Sequence, residues 1–414
     1  MAPHASSALY IISKMAFSNY KVIRMACYFM NFIYFILLFI ADQLTFLFPS
    51  KGDRGVKSKV LFVKLDAIGD FILWLDAAKE IRKIYPENEF EITLLGNKAW
   101  SSIAEEMNCF DAVWPVERQR FTRNPVYRLK ILRKIRGRGF STVVQPTFSR
   151  ESMYGDTIVR LCGAKDKIGS QGDCSITSIW IKHICDHWYT RLIPASDEPL
   201  MELRRNAEFI RGLGLETFFA NAPNLPFHFA TPEGFNAKKY YVLFPGAGKR
   251  IKQWPPSNFR EIVKKMYKET GWVGVICGGK EEKSISDKIE QTSDVILQNW
   301  CGKTSLKELT AIIAGAQILI GNDTGAVHIA AAVSTPSLCI LGGGHYGRFM
   351  PYQLEADTDR PLPVSVSHKM SCFGCNWHCI YDVQTGNAAP CVAAISVDQV
   401  WVSLKPILIK RGLI

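Results

Sequence analysis

Short apolar runs alternate with longer stretches of helical periodicity from residue 59 onward. This alternation is typical of β-α-β units, in which helices connect the parallel strands of one sheet. In the first half of the chain it predicts a helix at 71–85 and strands at 60–65, 90–95, 111–114 and 142–145.

The alternation is interrupted by a polar region at 165–198 and by a proline-containing segment at 221–233, which we interpret as an interdomain linker. Beyond the linker the apolar runs resume. We therefore predict two doubly wound α/β domains that face each other, with ligands at the carboxyl ends of their strands. The strands predicted in the second domain are 240–244, 273–277, 295–297, 318–320 and 337–341.

The composition is that of a globular protein with room for two cores and an affinity for anions. The chain has 414 residues, of which 48% are hydrophobic and 21% charged, and its formal net charge is +12. Such a charge attracts a membrane surface, a phosphorylated substrate or nucleic acid. Because residues 118–138 include no Asp or Glu, we expect an anionic ligand there rather than only a solvated helix face. The basic residues of this stretch are Arg118, Arg120, Arg123, Arg128, Lys130, Arg133, Lys134, Arg136 and Arg138.

Residues 25–41 are apolar apart from Asn31, which is typical of a membrane-associated helix. As a helix the segment would be about 26 Å long, slightly shorter than the roughly 30 Å hydrocarbon core of a bilayer. Basic residues flank both ends and select no orientation. A signal peptide is the alternative, but the long preceding region and the lack of a clear cleavage site count against it. We expect a re-entrant or interfacial anchor.

The most informative motif follows the predicted strand 318–320. Residues 321–332 have the sequence GNDTGAVHIAAA, in which a Gly-containing turn leads into a helix of small residues. Free backbone N–H groups and the positive end of a helix both bind phosphate, and Gly325 allows close approach. Asp323 and Thr324 are also ordinary N-cap residues, so the motif alone leaves a structural role open.

Two acidic residues follow the first predicted strand, in the sequence LDAIGD at 65–70. Asp70, at the start of a helix, is either an N-cap or a general base for a sugar hydroxyl in an interdomain cleft. Asp66 is the competing candidate for the base.

Two further strand ends in the second domain offer contacts for a nucleotide. Residues 244–255, FPGAGKRIKQWP, form a glycine-rich basic loop that suits a diphosphate but lacks the residue order of a P-loop. Glu282, in the turn after strand 273–277, suits ribose hydroxyls. An acidic residue in a first helical turn is, however, also favoured by the helix dipole alone.

In this order the motifs resemble glycosyltransferase family 9, the lipopolysaccharide heptosyltransferase family. The resemblance covers about 60–400 and is strongest in NDTGAVHIAAA at 322–332, then in KQWP at 252–255, and then in Gly69-Asp70. It implies a GT-B fold, a nucleotide-sugar donor, typically ADP-heptose, and a lipid-linked or lipopolysaccharide-core saccharide acceptor. It also implies inversion of the anomeric centre, with no cofactor required for catalysis.

The resemblance assigns the role of general base to Asp70, and Lys252 would contact the donor phosphates. At Ala247 the family often has a hydroxyl residue. His328 is either a donor contact or a packed neutral histidine. The implied donor-binding residues are Gly246, Ala247, Lys252, Glu282, Asp323, Thr324, Gly325 and His328. From the basic stretch we expect acceptor contacts at Arg120, Arg123 and Arg128.

The expected domains are a membrane anchor at 1–58, an acceptor-side Rossmann-like domain at 59–232 and a nucleotide-sugar donor domain at 233–395, followed by a C-terminal helix at 396–414. Because the chemistry needs an activated nucleotide donor, we expect the catalytic body at the cytoplasmic face of the inner membrane. The expected partners are the donor, an anionic lipid-linked acceptor and the membrane, and not nucleic acid.

Four cysteines, Cys372, Cys375, Cys379 and Cys391, have a spacing that fits a metal site or disulfides. In a reducing cytoplasm a structural zinc ion is favoured over disulfides, and free thiols are the third alternative.

The sequence DTD at 357–359 resembles the metal-binding D-x-D of other glycosyltransferases. It lies in a polar loop without a flanking strand, so we interpret it as chance.

Three functions remain open at this level. A membrane-associated inverting glycosyltransferase accounts for the anchor, the basic stretch and the two-domain motifs together. Another GT-B sugar-nucleotide enzyme, such as an epimerase or a hydrolase, would use the donor but no acceptor. A non-catalytic membrane-bound carbohydrate-binding or scaffold protein would retain the fold without turnover.

Overall fold

Two parallel six-stranded sheets, one in each half of the chain, form the framework of the protein. The structure is a computed structural model, and it describes residues 30, 33–34, 36–49, 56–291, 295–384 and 386–410.

The first sheet is formed by the strands β1 to β6, which are Ser58–Lys64, Phe90–Asn97, Ala112–Val116, Thr142–Gln145, Asp166–Ser170 and Arg191–Ile193. Their order in the sheet is β3-β2-β1-β4-β5-β6. The helices α1 to α7 of this half are Ile68–Ile84, Ser101–Ala104, Arg118–Arg123, Pro125–Arg138, Thr157–Leu161, Ile179–Asp186 and Glu202–Leu213.

The second sheet is formed by the strands β7 to β12, which are Tyr240–Phe244, Val273–Ile276, Leu297–Asn299, Leu319–Asn322, Ser337–Ile340 and Val364–Val366. Their order is β12-β11-β10-β7-β8-β9, the same topology as in the first sheet. The helices α8 to α13 are Pro256–Thr270, Lys283–Glu290, Leu306–Gly315, Gly325–Ala332, Pro390–Ala393 and Val397–Lys410.

The strand order in both sheets is that of a doubly wound Rossmann domain, in which a crevice opens where the order reverses. In the first sheet this point lies between β1 and β4, and in the second between β7 and β10. The central strands are almost wholly buried and apolar because helices cover both faces of each sheet. The predicted α/β architecture of two Rossmann-like domains is confirmed, and it fits the GT-B class.

The apolar runs predicted nine strands, and all nine are present with shifts of one or two residues at their ends. The interpretation of 165–198 as a polar interruption is wrong, because this region contains β5, α6 and β6. These two strands lie at the edge of the sheet, where the outer residues are half-buried or exposed and are therefore polar. No regular element is present between 218 and 232, where the linker was predicted.

The two halves of the chain share one continuous apolar core. Buried residues of the first sheet, such as Phe62, and of the second, such as Val242, belong to the same cluster. Helix α1 packs against α11 of the other domain and against α7. The carboxyl ends of the two sheets therefore face each other across a packed interface.

The described part of the N-terminal segment (residues 33–34 and 36–49) lies along α3 and α4. Residues 36–42 are helical and continue into the 3-10 turn Gln43–Leu47. Asp42 is buried and accepts two hydrogen bonds from Arg128, at 2.7 and 2.9 Å. Residues 25–29, 31, 32 and 35 of the predicted membrane segment lie outside the described residues. Among the helices that are described, none has the length and hydrophobicity needed to cross a bilayer.

We expect Asp42→Asn to lower the free energy of unfolding by about 3–5 kcal/mol, because it leaves the buried guanidinium of Arg128 without its counter-charge. A urea titration measures this change. Glu261→Gln, which breaks an exposed ion pair with Lys264 in α8, is the matched control and should change stability little. Equal effects of the two substitutions would contradict a structural role for the buried pair.

Candidate active site

The N-terminal ends of α1 and α11 meet across the interface between the domains. A Cβ atom at Gly325 would lie 3.1 Å from the backbone nitrogen of Gly69, and one at Gly69 would lie 3.1 Å from Cδ2 of His328. Both distances are tighter than ordinary contacts, so glycine permits this approach. The two motifs at 65–70 and 321–332, far apart in sequence, thus form one site.

Asp70 lies in the first turn of α1, whose N-cap is Ala67. The alternative role of Asp70 as the N-cap is therefore wrong. Its side chain is half-buried and, within the described part of the chain, makes no hydrogen bond or close ion pair. Burial, together with the nearby carboxylates of Asp66 and Glu202, raises the pKa of Asp70 to about 7. A carboxyl group with this pKa exchanges a proton readily near neutral pH.

The competing candidate, Asp66, is fully engaged by neighbours. Its carboxylate accepts hydrogen bonds from the buried Lys64 at 2.5 Å and from Thr147 at 3.0 Å. Burial alone would raise the pKa of Asp66, but Lys64 and Thr147 outweigh it and lower the pKa. Asp66 is therefore held as a carboxylate that balances a buried ammonium group, and it is less suited than Asp70 to accept a proton.

Two residues that the sequence did not point to connect the domains beside Asp70. The backbone N–H of Glu202, at the start of α7, donates to the carbonyl oxygen of Arg348 at 2.7 Å. The Arg348 guanidinium lies 3.6 Å from the Glu202 carboxylate. Both line an interdomain cleft of about 430 Å³. Glu202 begins a helix and Arg348 lies in a loop, and neither belongs to a motif, so only the fold brings them to the site.

Asn322 connects the motif at 321–332 to the glycine-rich loop. Its side chain donates to the carbonyl oxygen of Pro245 at 2.6 Å and accepts from the backbone nitrogen of Trp254 at 3.1 Å. On the same turn, Asp323 lies 3.4 Å from Nζ of Lys252. Thr324 is the N-cap of α11, but its hydroxyl makes no capping bond and is a buried group without a partner among the described residues.

The loop after β7 and the turn after β8 form a second pocket of about 390 Å³. Ala247 and Glu282 both line it, and their contact with a donor stays a prediction. Gly246 is buried against Glu282, and a Cβ atom there would overlap the Glu282 side chain. The pocket lies at the carboxyl ends of these strands, the edge where doubly wound domains bind nucleotides.

His328 is buried in α11, where its Nδ1 lies 2.9 Å from the hydroxyl of Tyr352 and its ring stacks on the Tyr352 ring. Burial lowers the pKa of His328 to about 4, so the imidazole is neutral at pH 7. Its ring also contacts the position of Gly69. The packed neutral histidine, one of the two alternatives, accounts for these contacts, and a direct donor contact stays a prediction.

A second group of residues missed by sequence reasoning closes over Lys252. The ring of Trp377 lies 4.9 Å from the Lys252 Nζ. Gly344 provides the space for this ring, since a Cβ atom there would overlap it. Trp377 Nε1 and His345 Nδ1 are buried and have no hydrogen-bond partner in the described structure. The run GGGH at 342–345, directly after β11, is the sequence signal that could have indicated this group.

Three of the four predicted metal-ligand cysteines, Cys372, Cys375 and Cys379, lie in the loop before α12, and Cys391 lies in α12 itself. Cys391 accepts a hydrogen bond from the backbone of Gly343, and burial together with the other three thiols raises the pKa of Cys391. Nowhere in the described ranges are three His, Cys, Asp or Glu side chains grouped so that they could hold a metal ion. A structural zinc ion at Cys372, Cys375, Cys379 and Cys391 stays a prediction.

The D-x-D sequence lies away from this site. Asp359 shares a surface groove with Ser337, the first residue of β11, and therefore lies near the amino end of the sheet. The candidate site is at the opposite, carboxyl edge.

The three arginines expected to contact an acceptor differ in their environment. Arg120 and Arg123 in α3 are exposed. Arg128 is buried and is the partner of Asp42, so the expectation that it contacts an acceptor is corrected to a structural role. A residue with both of its terminal nitrogens paired inside the protein is not free to bind a ligand.

The fold and the site together define a two-domain α/β enzyme of the GT-B type. One domain contributes a carboxyl group with a raised pKa, and the other contributes a cationic, glycine-rich pocket. This division suits a reaction between two substrates, one bound to each domain.

Comparison with known proteins specifies the class. The family model described as Glycosyltransferase family 9 (heptosyltransferase) matches residues 213–365. Lipopolysaccharide heptosyltransferase 3 of Escherichia coli is 22% identical over 315 residues, which cover 72% of this chain and 88% of that protein. These matches confirm the predicted resemblance to glycosyltransferase family 9, and they indicate that the chain is a glycosyltransferase.

Two solved structures share the fold. The glycosyl transferase family 9 protein from Veillonella parvula has a TM-score of 0.65 at 16% identity, covering 87% of this chain and 100% of that one. The Escherichia coli ADP-heptose lps heptosyltransferase II has a TM-score of 0.60 at 16% identity, covering 86% and 99%.

We expect Gly325→Ala to lower the free energy of unfolding by about 1–3 kcal/mol, because the added methyl group meets the backbone of Gly69. Gly137→Ala in α4 is the matched control. No atom lies within 4 Å of its Cβ position, so the same change should stabilise the protein by about 0.5–1 kcal/mol. Urea titrations compare the two variants. A stabilising Gly325→Ala would contradict the close approach of α1 and α11.

Proposed function

We propose that this protein is a membrane-associated inverting heptosyltransferase at the cytoplasmic face of the inner membrane. It transfers a heptose from ADP-heptose to a lipid-linked saccharide of the lipopolysaccharide core, with Asp70 as general base. The similarity to the lipopolysaccharide heptosyltransferases supports the substrate class. The observation that carries the mechanism is the Asp70 carboxyl, which has no hydrogen-bond partner among the described residues and lies near the motif at 321–332.

Unsatisfied polar groups on the donor side support a bound diphosphate sugar. Among the described residues, the buried Thr324 hydroxyl, Trp377 Nε1 and His345 Nδ1 have no partner, and the last two belong to the group that closes over Lys252. Buried polar groups without partners cost about 1–3 kcal/mol each. A ligand that supplies the missing hydrogen bonds recovers this energy, and the oxygen atoms of a sugar diphosphate are suitable acceptors.

The charges around Lys252 suit the leaving group. The ammonium group and the free amides at the start of α11 would stabilise the negative charge that grows on the ADP diphosphate. Glu282, which lines the nucleotide pocket, is available for the ribose hydroxyls. Since ADP is already a good leaving group, the protein mainly aligns the two substrates and removes one proton.

The proposed transfer is a single displacement. Asp70 takes the proton from an acceptor hydroxyl as that oxygen attacks the anomeric carbon, and the bond between this carbon and the diphosphate oxygen breaks. Because attack occurs on the face opposite the diphosphate, the configuration at the anomeric carbon inverts. Neutral Asp70 then releases its proton to solvent, and no metal ion takes part in the scheme.

The cleft beside Asp70 suits an acceptor saccharide. It carries polar and charged side chains from both domains, among them Asp173, Glu202, Arg205 and Arg348. The exposed Arg120 and Arg123 stay predicted contacts for the anionic part of the acceptor.

Measurements of donor binding and of sugar transfer distinguish the proposed transferase from a scaffold protein and from a hydrolase. Calorimetry with chelator present should show binding of ADP-heptose in preference to GDP-, UDP- and dTDP-sugars. We expect Lys252→Ala to weaken this binding about tenfold or more, since it removes a charged hydrogen-bond donor. Lys249→Ala, an exposed residue in the same loop, is the matched control. Absence of donor binding in the wild-type protein would favour a scaffold.

Asp70→Asn should retain donor binding but lower the transfer rate roughly 10²- to 10⁴-fold, the usual contribution of a general base. Asp76→Asn, on the same helix but away from the cleft, should transfer at the wild-type rate. Chromatographic detection of the glycosylated acceptor measures both. Donor cleavage without acceptor would instead indicate a hydrolase, and near-normal transfer by Asp70→Asn would exclude Asp70 as the base.

The pH dependence follows from the raised pKa of Asp70. A general base must be deprotonated, so kcat/KM should rise with pH up to about 7 and level off above it. Glu202→Gln removes a negative charge that raises this pKa. The acidic limb of the pH profile, which is the rise of kcat/KM below pH 7, should therefore move to lower pH. Glu198→Gln, in the same cleft, should leave the limb in place. An acidic limb that is unchanged in Glu202→Gln would contradict the coupling.

A further inference from the structure

The N-terminal segment exposes a stripe of aliphatic side chains to solvent. Its members recur every three or four residues, which places them on one face of the helix. They are Ile33, Leu37, Ile40, Leu44 and Leu47, and their exposed fractions range from 36% to 76%. We call them the aliphatic stripe. The opposite face, with Leu38, Asp42 and Thr45, is buried against the first domain.

The stripe is held rigidly because the segment is bound to α3 and α4 along its length. At one end, the Tyr34 hydroxyl donates to the carbonyl oxygen of Thr122 at 2.6 Å. In the middle is the buried ion pair of Asp42. At the other end, Nε of Arg136 donates to the carbonyl oxygen of Phe48 at 2.7 Å. The apolar face is thus a fixed part of the folded domain.

Exposed cations lie next to the stripe. Lys130 and Arg133 are on the exposed side of α4, and the Arg133 guanidinium stacks on the Phe48 ring at 4.4 Å. The whole stretch 118–138 has no acidic residue. An aliphatic surface bordered by cations is suited to a bilayer that contains anionic lipids. The apolar side chains would lie among the acyl chains, and the cations would bind the anionic headgroups.

We propose that the aliphatic stripe is a membrane-binding surface that lies in the plane of the bilayer, with Lys130 and Arg133 on anionic headgroups. The proposal rests on the proposed membrane location and names the surface responsible. A second copy of the chain is the less suitable occupant. A symmetric contact through the stripe would bring the basic stretch 118–138 of one copy close to that of the other. Because neither stretch contains an acidic residue, their positive charges would repel each other.

Such a placement has a consequence for the reaction. An in-plane segment lies about 5–10 Å deep, at the boundary between headgroups and acyl chains. The first domain, which contains Asp70, is fixed to this segment. A lipid-linked acceptor would therefore be met by a domain that already lies against the membrane surface.

Vesicle flotation of the full chain tests the surface without donor or acceptor, so its result is independent of the proposed reaction. Ile40→Asp/Leu44→Asp should weaken binding to vesicles of phosphatidylcholine mixed with phosphatidylglycerol about tenfold or more. Val402→Asp/Ile409→Asp, which alters exposed apolar residues of α13, is the matched control and should bind normally. Unchanged binding by the stripe variant would overturn the proposal.

The charge component has its own variant. Lys130→Gln/Arg133→Gln should lose about fivefold in affinity per cation for the mixed vesicles at low salt and little for phosphatidylcholine alone. Lys264→Gln/Lys265→Gln in α8 should not change either affinity. Equal losses on both vesicle types would contradict a role of these cations on anionic headgroups.

Photocrosslinking identifies what covers the stripe. A benzophenone amino acid in place of Leu44 should form lipid adducts on the mixed vesicles, whereas the same group in place of Val402 should not. Crosslinks from position 44 to a second copy, or to residues 1–29 of the same chain, would replace the lipid as occupant and overturn the proposal. Absence of any adduct in vesicle-bound protein would also overturn it.

Discussion

The close approach of two helix N-termini, at Gly69 and Gly325, is the constraint on which the site depends. Each helix begins directly after the central strand of its own sheet, so the contact aligns the two crevices. It also brings the positive ends of two helix dipoles together, an arrangement that is costly unless negative charge lies nearby. Asp70 and Asp323 provide that charge in the free protein, and a bound diphosphate would add to it. The interface is therefore electrostatically prepared for an anion.

A buried lysine underlies this arrangement. Burial would lower the pKa of Lys64, but the carboxylates of Asp66, Glu202 and Asp70 outweigh it and raise the pKa. One ammonium group thus faces three carboxylates. The ammonium group pairs closely with Asp66, and its attraction to Asp70 is weaker. Asp66 is held ionised, whereas Asp70 has a pKa near neutrality. This difference arises because Lys64 attracts the two carboxylates unequally, and not from their local sequence.

Much of the fold and part of the site could be predicted from sequence, for identifiable reasons. Buried central strands are continuous apolar runs, whereas the strands β5, β6 and β12, at or next to the sheet edges, are exposed at their first residues and were missed. Asp70 and the NDTG turn follow such runs directly, so their position at the carboxyl edge was predictable. Glu202, at the start of α7, and Arg348 and Trp377, in loops, belong to no motif, and only tertiary packing brings them to the site. Arg128 was assigned to the acceptor because the basic stretch around it gives no sign of its buried partner, Asp42, which is 86 residues away in the sequence.

The contacts of Lys252 imply a form of selectivity. In the free protein its ammonium group already has a carboxylate, Asp323, at 3.4 Å and an aromatic face, Trp377, at 4.9 Å. An incoming anion therefore competes with an internal counter-ion instead of meeting a bare charge. Chloride or inorganic phosphate, with few other contacts, gains little from this exchange. The proposed nucleotide-sugar donor, bound at several points, would displace Asp323, so the free enzyme would stay available in a cell rich in small anions.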